Sequence, residues 1–320
     1  MRMAKSGFSR RELLVGAGAG LLAAGCTSAN VAQAQVNAPV PTPAKKGLRV
    51  AFMTDSHVPK KGQLSNLRPL SRFPQALKMM ADRKPDLVVW GGDNVFAVDY
   101  GDNLAQATEQ FDNWESLIAE AYTGPKLSVI GNHDIWKGDV ARANPELGGK
   151  GMAIKRFGME SRFMADEVGG WRFLLLDCFH DSGCRIDDEQ LEWMKSQLTQ
   201  DKRPTVLVSH APLFSATGIY EKKPQGNNYT FGIGDIIGNV HDVVDTLRAH
   251  DHVKLALSGH MHHRERLDYF NTTFINGGAV SGAWWAGNYK NHPAAFVMLE
   301  LFPDGTWSHE FVMWDANRNA

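Results

Sequence analysis

The sequence predicts an α/β fold, and three observations carry that prediction. Short apolar runs alternate with longer segments of helical periodicity, as they do when strands and helices take turns along the chain. Polar Asp, Asn or His residues follow several of the runs directly. From Arg266 onward the runs follow one another without helices between them, which is typical of antiparallel strands. With 320 residues the chain can bury a self-sufficient core.

Each predicted strand is a short apolar run that ends at a turn signal or at a change of periodicity. Helices are predicted where apolar residues recur on one face, as Phe111, Trp114 and Ile118 do, or where acidic residues such as Asp187 favour a helix start. The predicted strands are 48–53, 86–90, 127–130, 171–177, 205–208, 253–257, 272–275, 295–301 and 306–314. The predicted helices are 74–83, 103–121, 187–198 and 235–249.

Two segments lack clear periodicity. Residues 137–163 are rich in glycine and basic residues, and we interpret them as a surface excursion over the site. Residues 213–231 form a predicted long loop. Because loops of this length are often functional, it is a candidate substrate lid.

Five of the predicted strands end in side chains that bind metals. In α/β folds the carboxyl ends of strands are where ligands bind, because the chain leaves the packed sheet there. With twelve histidines against three cysteines, imidazole is the expected ligand type. The tips carry Asp55 and His57, Gly92 and Asp93, Gly131 to Asp134, Ser209 and His210, and Gly259 to His263.

Taken together, these tips resemble the calcineurin-like metallophosphoesterase superfamily over nearly all of residues 48–315. The resemblance implies a four-layer α/β/β/α sandwich of two mixed sheets, with two metal ions at the strand ends. It further implies that Asp55, His57 and His262 hold one ion, that Asn132, His210 and His260 hold the other, and that Asp93 bridges them. The ions would be divalent or of mixed valence, with Mn, Fe or Zn as the candidates.

The implied reaction is hydrolysis of a small phosphodiester or phosphomonoester, possibly a nucleotide, by a metal-bound hydroxide. His133 would donate a proton or hydrogen bond to the leaving oxygen, and Asp134 would orient His133. Asn132 would also contact the substrate. The alternative is a catalytically silent protein that binds metal and phosphate on the same fold; its mark would be a missing ligand or a missing His133, and neither is missing.

Two tryptophans, Trp284 and Trp285, end a glycine-rich loop that begins near Ile275. An indole there could stack on a ring of the substrate, so both are candidate substrate-binding residues. Packing against the neighbouring strands is the alternative interpretation.

Phe96 departs from the family pattern. At this position many relatives have Asp, and the iron-containing purple acid phosphatases have a Tyr ligand. A coloured ferric–tyrosinate centre is therefore not expected.

The amino terminus predicts export. Arg10 and Arg11 in the run Ser9 to Leu14 resemble a twin-arginine signal, and the apolar stretch that follows is shorter than the roughly 20 residues of a spanning helix. Cleavage after Ala34 competes with a lipoprotein-like box at Cys26. We therefore expect a signal peptide at 1–34, a linker at 35–47 and a periplasmic or exported domain at 48–320, membrane-bound only if Cys26 is lipidated.

Charge and cysteine usage limit the partners. Lys and Arg number 34 against 35 Asp and Glu, so no nucleic-acid polymer is expected as a partner. The expected partners are a small phosphate ester and the twin-arginine export machinery. In an oxidising compartment Cys178 and Cys184 can form a small disulfide loop, and two unlinked thiols are the alternative.

Overall fold

Two β-sheets pack face to face in the computed structural model, and helices cover the outer face of each sheet. The structure describes residues 46–181, 183–217, 219 and 234–315. The strands are β1 (Leu48–Met53), β2 (Leu87–Trp90), β3 (Lys126–Ser128), β4 (Met164–Val168), β5 (Trp171–Leu175), β6 (Phe179–His180), β7 (Gly183–Cys184), β8 (Thr205–Val208), β9 (Val253–Ser258), β10 (Arg264–Tyr269), β11 (Thr272–Gly277), β12 (Ala295–Leu301) and β13 (Trp307–Met313). The α-helices among the described residues are α1 (Pro69–Asp82), α2 (Leu104–Ala121), α3 (Asp139–Arg142), α4 (Gly151–Phe157), α5 (Asp188–Gln200) and α6 (Val240–Arg248).

The first sheet has the strand order β13-β12-β1-β2-β3. Its strands β1, β2 and β3 are parallel, with Ala51 opposite Val88, whereas β12 runs antiparallel to β1. The second sheet has the order β10-β11-β9-β8-β5-β4, with four parallel strands at its centre and antiparallel strands at both edges. Because the central strands are parallel, their carboxyl ends share one edge in each sheet.

The core has three layers of apolar contact. Side chains such as Phe52 and Val297 from the first sheet meet Phe173 and Leu255 from the second in one buried cluster. A second cluster joins the first sheet to α1 and α2, and a third joins the second sheet to α5 and α6. The predicted four-layer α/β/β/α sandwich is confirmed.

The prediction of antiparallel strands from Arg266 onward is wrong in one respect. Strand β11 belongs to the second sheet and lies parallel to β9, whereas β12 and β13 belong to the first sheet. The chain crosses between the sheets through residues 278–294. Strand β11 is buried along its whole length, which is typical of a parallel strand, and β13 alternates mainly between half-buried and exposed positions.

Smaller differences concern the ends of helices and the segments between them. Helix α1 begins at Pro69, not at 74, because a proline is well tolerated in the first turn. The 137–163 excursion carries the short helices α3 and α4. The signal peptide, nearly all of the linker and most of the 213–231 loop lie outside the described residues. Of the helices that the structure describes, none is both long and apolar enough to cross a membrane.

Candidate metal centre

The five polar strand tips meet at one edge of the sandwich. Backbone hydrogen bonds join the tips within each sheet: the N–H of Asp55 donates to Gly92 O at 3.0 Å, and the N–H of His57 donates to Asp93 O at 3.0 Å. In the second sheet the N–H of Gly259 donates to His210 O at 2.9 Å. Backbone hydrogen bonds alone therefore hold together residues that are distant in sequence.

Two glycines permit the close approach of these tips. A Cβ on Gly131 would collide with the backbone nitrogen and carboxylate of Asp93, and a Cβ on Gly259 would collide with Thr54 and the carboxylate of Asp55. Gly131 thus brings the tips of β2 and β3 together, and Gly259 joins the tip of β9 to that of β1. Glycine is required at both positions because any side chain would push two candidate ligands apart.

Most of the candidate ligands have a strained backbone conformation. Five of the seven predicted ligands have φ angles between 43° and 67°, in the left-handed region that non-glycine residues rarely adopt. Each such residue costs on the order of 1 kcal/mol, and strain of this kind clusters at functional sites. The five are Asp55, His57, Asp93, His260 and His262.

Asp55, His57 and His262 form the first cluster, with potential ligand atoms within 4.8 Å of one another. The Nε2 atoms of His57 and His262 are 3.1 Å apart, and His262 Nε2 lies 3.2 Å from Asp55 Oδ1. Their Nδ1 atoms face the carbonyl oxygens of Phe96 and Gly282, at 3.3 and 2.6 Å. Because a carbonyl only accepts, each Nδ1 carries a proton, which leaves the two Nε2 atoms as the potential ligand atoms. A cation between the two rings would contact both of them.

Asp93, His210 and His260 form the second cluster. His210 Nε2 lies 3.1 Å from Asp93 Oδ2, and its Nδ1 donates to Gly91 O at 2.7 Å. The Nε2 of His260 donates to Gly234 O at 2.5 Å, which leaves its Nδ1 as the ligand atom. Hydrogen bonds to carbonyls thus fix the tautomer of each ring, as they do in metal sites.

Asp93 lies between the two clusters. Its Oδ2 is 3.1 Å from His210 Nε2 in one direction and 3.8 Å from His57 Nε2 in the other. Its Oδ1 accepts a hydrogen bond from the N–H of His133 at 2.8 Å. One carboxylate oxygen therefore faces a histidine of each cluster, which is the arrangement that two neighbouring cations need in order to share a ligand.

Asn132 lies between Gly131 and His133, both of which approach Asp93. Its Oδ1 is buried and has no hydrogen-bond partner among the residues that the structure describes. A buried amide oxygen without a partner costs free energy unless a cation or a ligand contacts it. This atom therefore fits the metal-binding role that the resemblance implies for Asn132.

Burial and nearby charges set the protonation of three of the rings. Burial lowers the pKa of His57 to about 3 and, together with the nearby charge of His210, the pKa of His260 to about 4, so both are neutral ligands at neutral pH. Burial also disfavours the protonated form of His210. The negative charges of Asp93 and Asp55 outweigh this effect of burial and raise the pKa of His210 to about 10. In the metal-free protein a proton on His210 thus compensates part of the acidic charge.

His133 lies beside the clusters, and its Nδ1 donates to Asp99 Oδ1 at 2.8 Å. Burial disfavours the imidazolium, but the hydrogen bond to Asp99 and the charge of Asp93 outweigh burial and raise the pKa of His133. Although His133 is also near enough to His57 and Asp93 to join a metal site, its Nδ1 is engaged by Asp99. The free Nε2 is the atom available to a substrate.

The prediction that Asp134 orients His133 is wrong. The Asp134 carboxylate accepts backbone N–H bonds from Gly131 at 2.9 Å, Asn94 at 2.9 Å and Val95 at 3.1 Å. It therefore ties the tip of β3 to the tip of β2 and does not reach the imidazole. Asp99 has the orienting role, which could not be predicted from the sequence because Asp99 lies in an irregular segment without a motif. Its only sequence signal is its nearness to Asp93.

The two tryptophans have different environments. Trp285 is completely buried, and its Nε1–H donates to His57 O at 3.0 Å, so the prediction that it contacts substrate is wrong and the packing alternative holds for it. Trp284 is 39% exposed, and its ring centroid lies 4.4 Å from that of His262 and 5.8 Å from that of His57. Trp284 therefore lies beside the first cluster and is partly exposed.

Other candidates from the sequence lie outside the clusters. Cys178 and Cys184 are both buried as free thiols, and burial raises the pKa of Cys178. The Asp177 carboxylate at the end of β5 pairs with Lys150 and Arg162, which fastens the 137–163 excursion to the second sheet. The basic residues of that excursion are thus partly structural.

Comparison with known proteins agrees with the fold. The sequence profile of the calcineurin-like phosphoesterases matches residues 48–264. A protein of Synechococcus described as "Probable cyclic nucleotide phosphodiesterase" is 27% identical over 282 residues, which cover 84% of this chain and 94% of that protein. A dimetal phosphatase from Danio rerio superposes with a TM-score of 0.57 at 13% identity, over 84% of this chain and all of that one. The purple acid phosphatase PPD1 from yellow lupin also reaches 0.57, at 18% identity, over 84% of this chain and 52% of its own.

Proposed function

Because the chain belongs to the calcineurin-like phosphoesterase family, we propose that it hydrolyses small phosphodiesters or phosphomonoesters with two divalent metal ions. The observation that carries this proposal is the position of the Asp93 carboxylate between the Asp55–His57–His262 and His210–His260 groups. A cyclic nucleotide is the favoured substrate, since the similar Synechococcus protein is described as a probable cyclic nucleotide phosphodiesterase.

In this proposal Asp55, His57 and His262 hold one ion, Asn132, His210 and His260 hold the other, and Asp93 contacts both. Four imidazoles, two carboxylates and one amide suit Mn, Fe or Zn. When bound, the ions would supply Lewis acidity towards phosphate oxygens and lower the pKa of water to about 7. The neutral rings of His57 and His260 leave the pair of ions cationic enough to attract a phosphate.

His133 would act on the leaving oxygen. Asp99 holds Nδ1–H, so Nε2 can donate to the oxygen that departs from phosphorus, a contribution of about 10² to 10⁴ in rate. The charges of Asp99 and Asp93 favour the protonated ring that such a donor requires. Asn132 and Trp284 border the same space and would contact the phosphate and the organic part of the substrate.

A chromogenic diester such as bis(4-nitrophenyl) phosphate tests the proposal. The purified protein, loaded with Mn²⁺ and checked for two bound ions, should release nitrophenolate, and His133→Ala should slow the release strongly while both ions stay bound. Two bound ions without turnover would favour the catalytically silent alternative instead. Unchanged turnover in His133→Ala would refute the role of that side chain.

We also propose that the protein is exported through the twin-arginine route. The supporting observation is the Arg10–Arg11 pair before a short apolar stretch. Replacing both with Lys should retain the protein in the cytoplasm on cell fractionation. An unchanged distribution between the fractions would contradict the proposal.

A further inference from the structure

A cavity of about 270 Å³ lies between the segment after β2 and the start of α2. Among the residues that line it are Gln63, Phe96, Tyr100, Asn103, Gln106 and Gln110, and we call it the Tyr100 cavity. Its walls combine aromatic rings with amide side chains. Proteins that recognise a nucleobase use these same two elements, a ring to stack on and polar groups for the edge of the base.

Tyr100 connects this cavity to the reaction site. The centroid of its ring lies 5.5 Å from that of His133, with the two planes tilted by 36°. Its side chain is 80% exposed, which is unusual for a residue of this size next to a buried polar cluster. A flat group in the cavity could therefore cover a ring that otherwise faces solvent.

An unpartnered acceptor lies in the wall of the cavity. Gln63 Oε1 is buried and has no hydrogen-bond partner among the described residues, whereas the side-chain oxygens of Gln110 and Asn103 accept from the N–H groups of Ala97 and Gln106. A buried carbonyl oxygen without a partner costs free energy, which a donor on a ligand would recover. Gln63 thus offers a position for an N–H group.

The direction of the reaction connects these features. If His133 donates to the leaving oxygen, the substituent on that oxygen begins within hydrogen-bond reach of His133 and so next to Tyr100. We propose that the Tyr100 cavity binds a nitrogen heterocycle on the leaving side of the substrate, with its face on Tyr100 and an N–H directed at Gln63. This inference rests on the proposed function and narrows its substrates to esters of nucleosides.

Matched substrates test the inference. Adenosine 3′,5′-cyclic phosphate and the abasic 1-O-methylribose 3′,5′-cyclic phosphate share the reacting ester and differ only in the base. The wild-type holoenzyme should prefer the nucleotide in kcat/KM, and Tyr100→Ala should reduce that preference about tenfold, the usual effect of losing one stacking ring. Gln63→Ala should reduce it as well, and Phe270→Ala, which removes an exposed ring on a remote turn, should not.

A second measurement does not depend on turnover of the nucleotide. With the chromogenic diester as substrate, the inhibition constants of adenosine 5′-monophosphate and ribose 5-phosphate give a ratio that reports the base, and Tyr100→Ala should shift it about tenfold towards ribose 5-phosphate. Hydrolysis of both cyclic esters without preference, or a preference that Tyr100→Ala preserves, would overturn the inference and leave the phosphoesterase proposal intact. Absence of hydrolysis of either ester and of the chromogenic diester would overturn both.

Discussion

Asp99 accepts a hydrogen bond from Nδ1 of His133 at 2.8 Å, and both side chains are largely buried. The pair lies at the edge of two clusters of candidate metal ligands, with Nε2 of His133 directed away from Asp99. The bond fixes one tautomer of the ring and stabilises its protonated form. Asp99 is thus a positioning residue that acts through His133.

Replacing Asp99 with Asn should lower kcat about 10- to 100-fold, the usual cost of losing the carboxylate partner of a functional imidazole. The metal content should stay at two ions per chain, because Asp99 contacts neither cluster. The measurement is steady-state hydrolysis of the chromogenic diester together with elemental analysis. Asp251→Asn, a change of an exposed acid at the amino end of β9, is the matched control. A kcat equal to that of the control would show that Asp99 is unimportant.

The Asp134→Ala variant should lose stability. Its carboxylate accepts three buried backbone N–H bonds, and each unsatisfied donor costs about 1 to 3 kcal/mol, so the free energy of unfolding should fall by about 3 kcal/mol or more. Urea unfolding of the metal-free variant measures this loss. If Asp134→Ala instead remained as stable as the wild type and lost only activity, the structural role of Asp134 would be wrong.

Trp284 and Trp285 should respond differently to substitution. Trp285→Ala removes a completely buried ring and should cost about 3 to 5 kcal/mol of stability. Trp284→Ala should change stability by about 0.5 kcal/mol or less and act on KM instead, because its ring is partly exposed beside His262. Thermal unfolding and Michaelis–Menten kinetics on the same two variants separate the roles. A stable Trp285→Ala protein would contradict this assignment.

Metal binding should release a proton at pH 8. The metal-free protein holds a proton on His210, whose pKa is raised to about 10 by Asp93 and Asp55 against the effect of burial. A metal must displace that proton, so apparent affinity should rise with pH between about 7 and 9 and level off above 10. Calorimetric titration with Mn²⁺ in two buffers of different ionisation enthalpy counts the protons released. Release of no proton at pH 8 would contradict the state of His210.

The fold and the candidate ligands could be predicted to a large extent from the sequence. In the sequence, buried parallel strands are nearly continuous apolar runs. The predicted bounds of Leu48–Met53 and Thr205–Val208 therefore agree with the structure at every residue. Candidate ligands follow such strands directly, and rigid strand ends bring them together. The two edge strands of the second sheet were not predicted, because β4 (MADEV) and β10 (RERLDY) carry charges, have no fully buried position and resemble loops in sequence.

The contacts of individual side chains could not be predicted in the same way. Asp134 is adjacent to His133 in sequence, yet its carboxylate turns towards backbone amides of the neighbouring tip. Asp99 reaches His133 across a loop whose course depends on the hydrogen bond from Val98 N–H to His133 O. Likewise, nothing in the pair Trp284–Trp285 distinguishes the exposed ring from the buried one. The contacts of these side chains depend on tertiary packing, and a local sequence pattern carries no information about that packing.

The metal content of Asp93→Ala tests the central claim most directly. Elemental analysis of the wild-type protein after loading with Mn²⁺ or Zn²⁺ should give two ions per chain, and Asp251→Ala should match it. Because the Asp93 carboxylate lies between both clusters, Asp93→Ala should bind less than half an ion per chain at the same free metal concentration. Retention of two ions by Asp93→Ala would contradict the shared ligand on which the proposed hydrolysis depends.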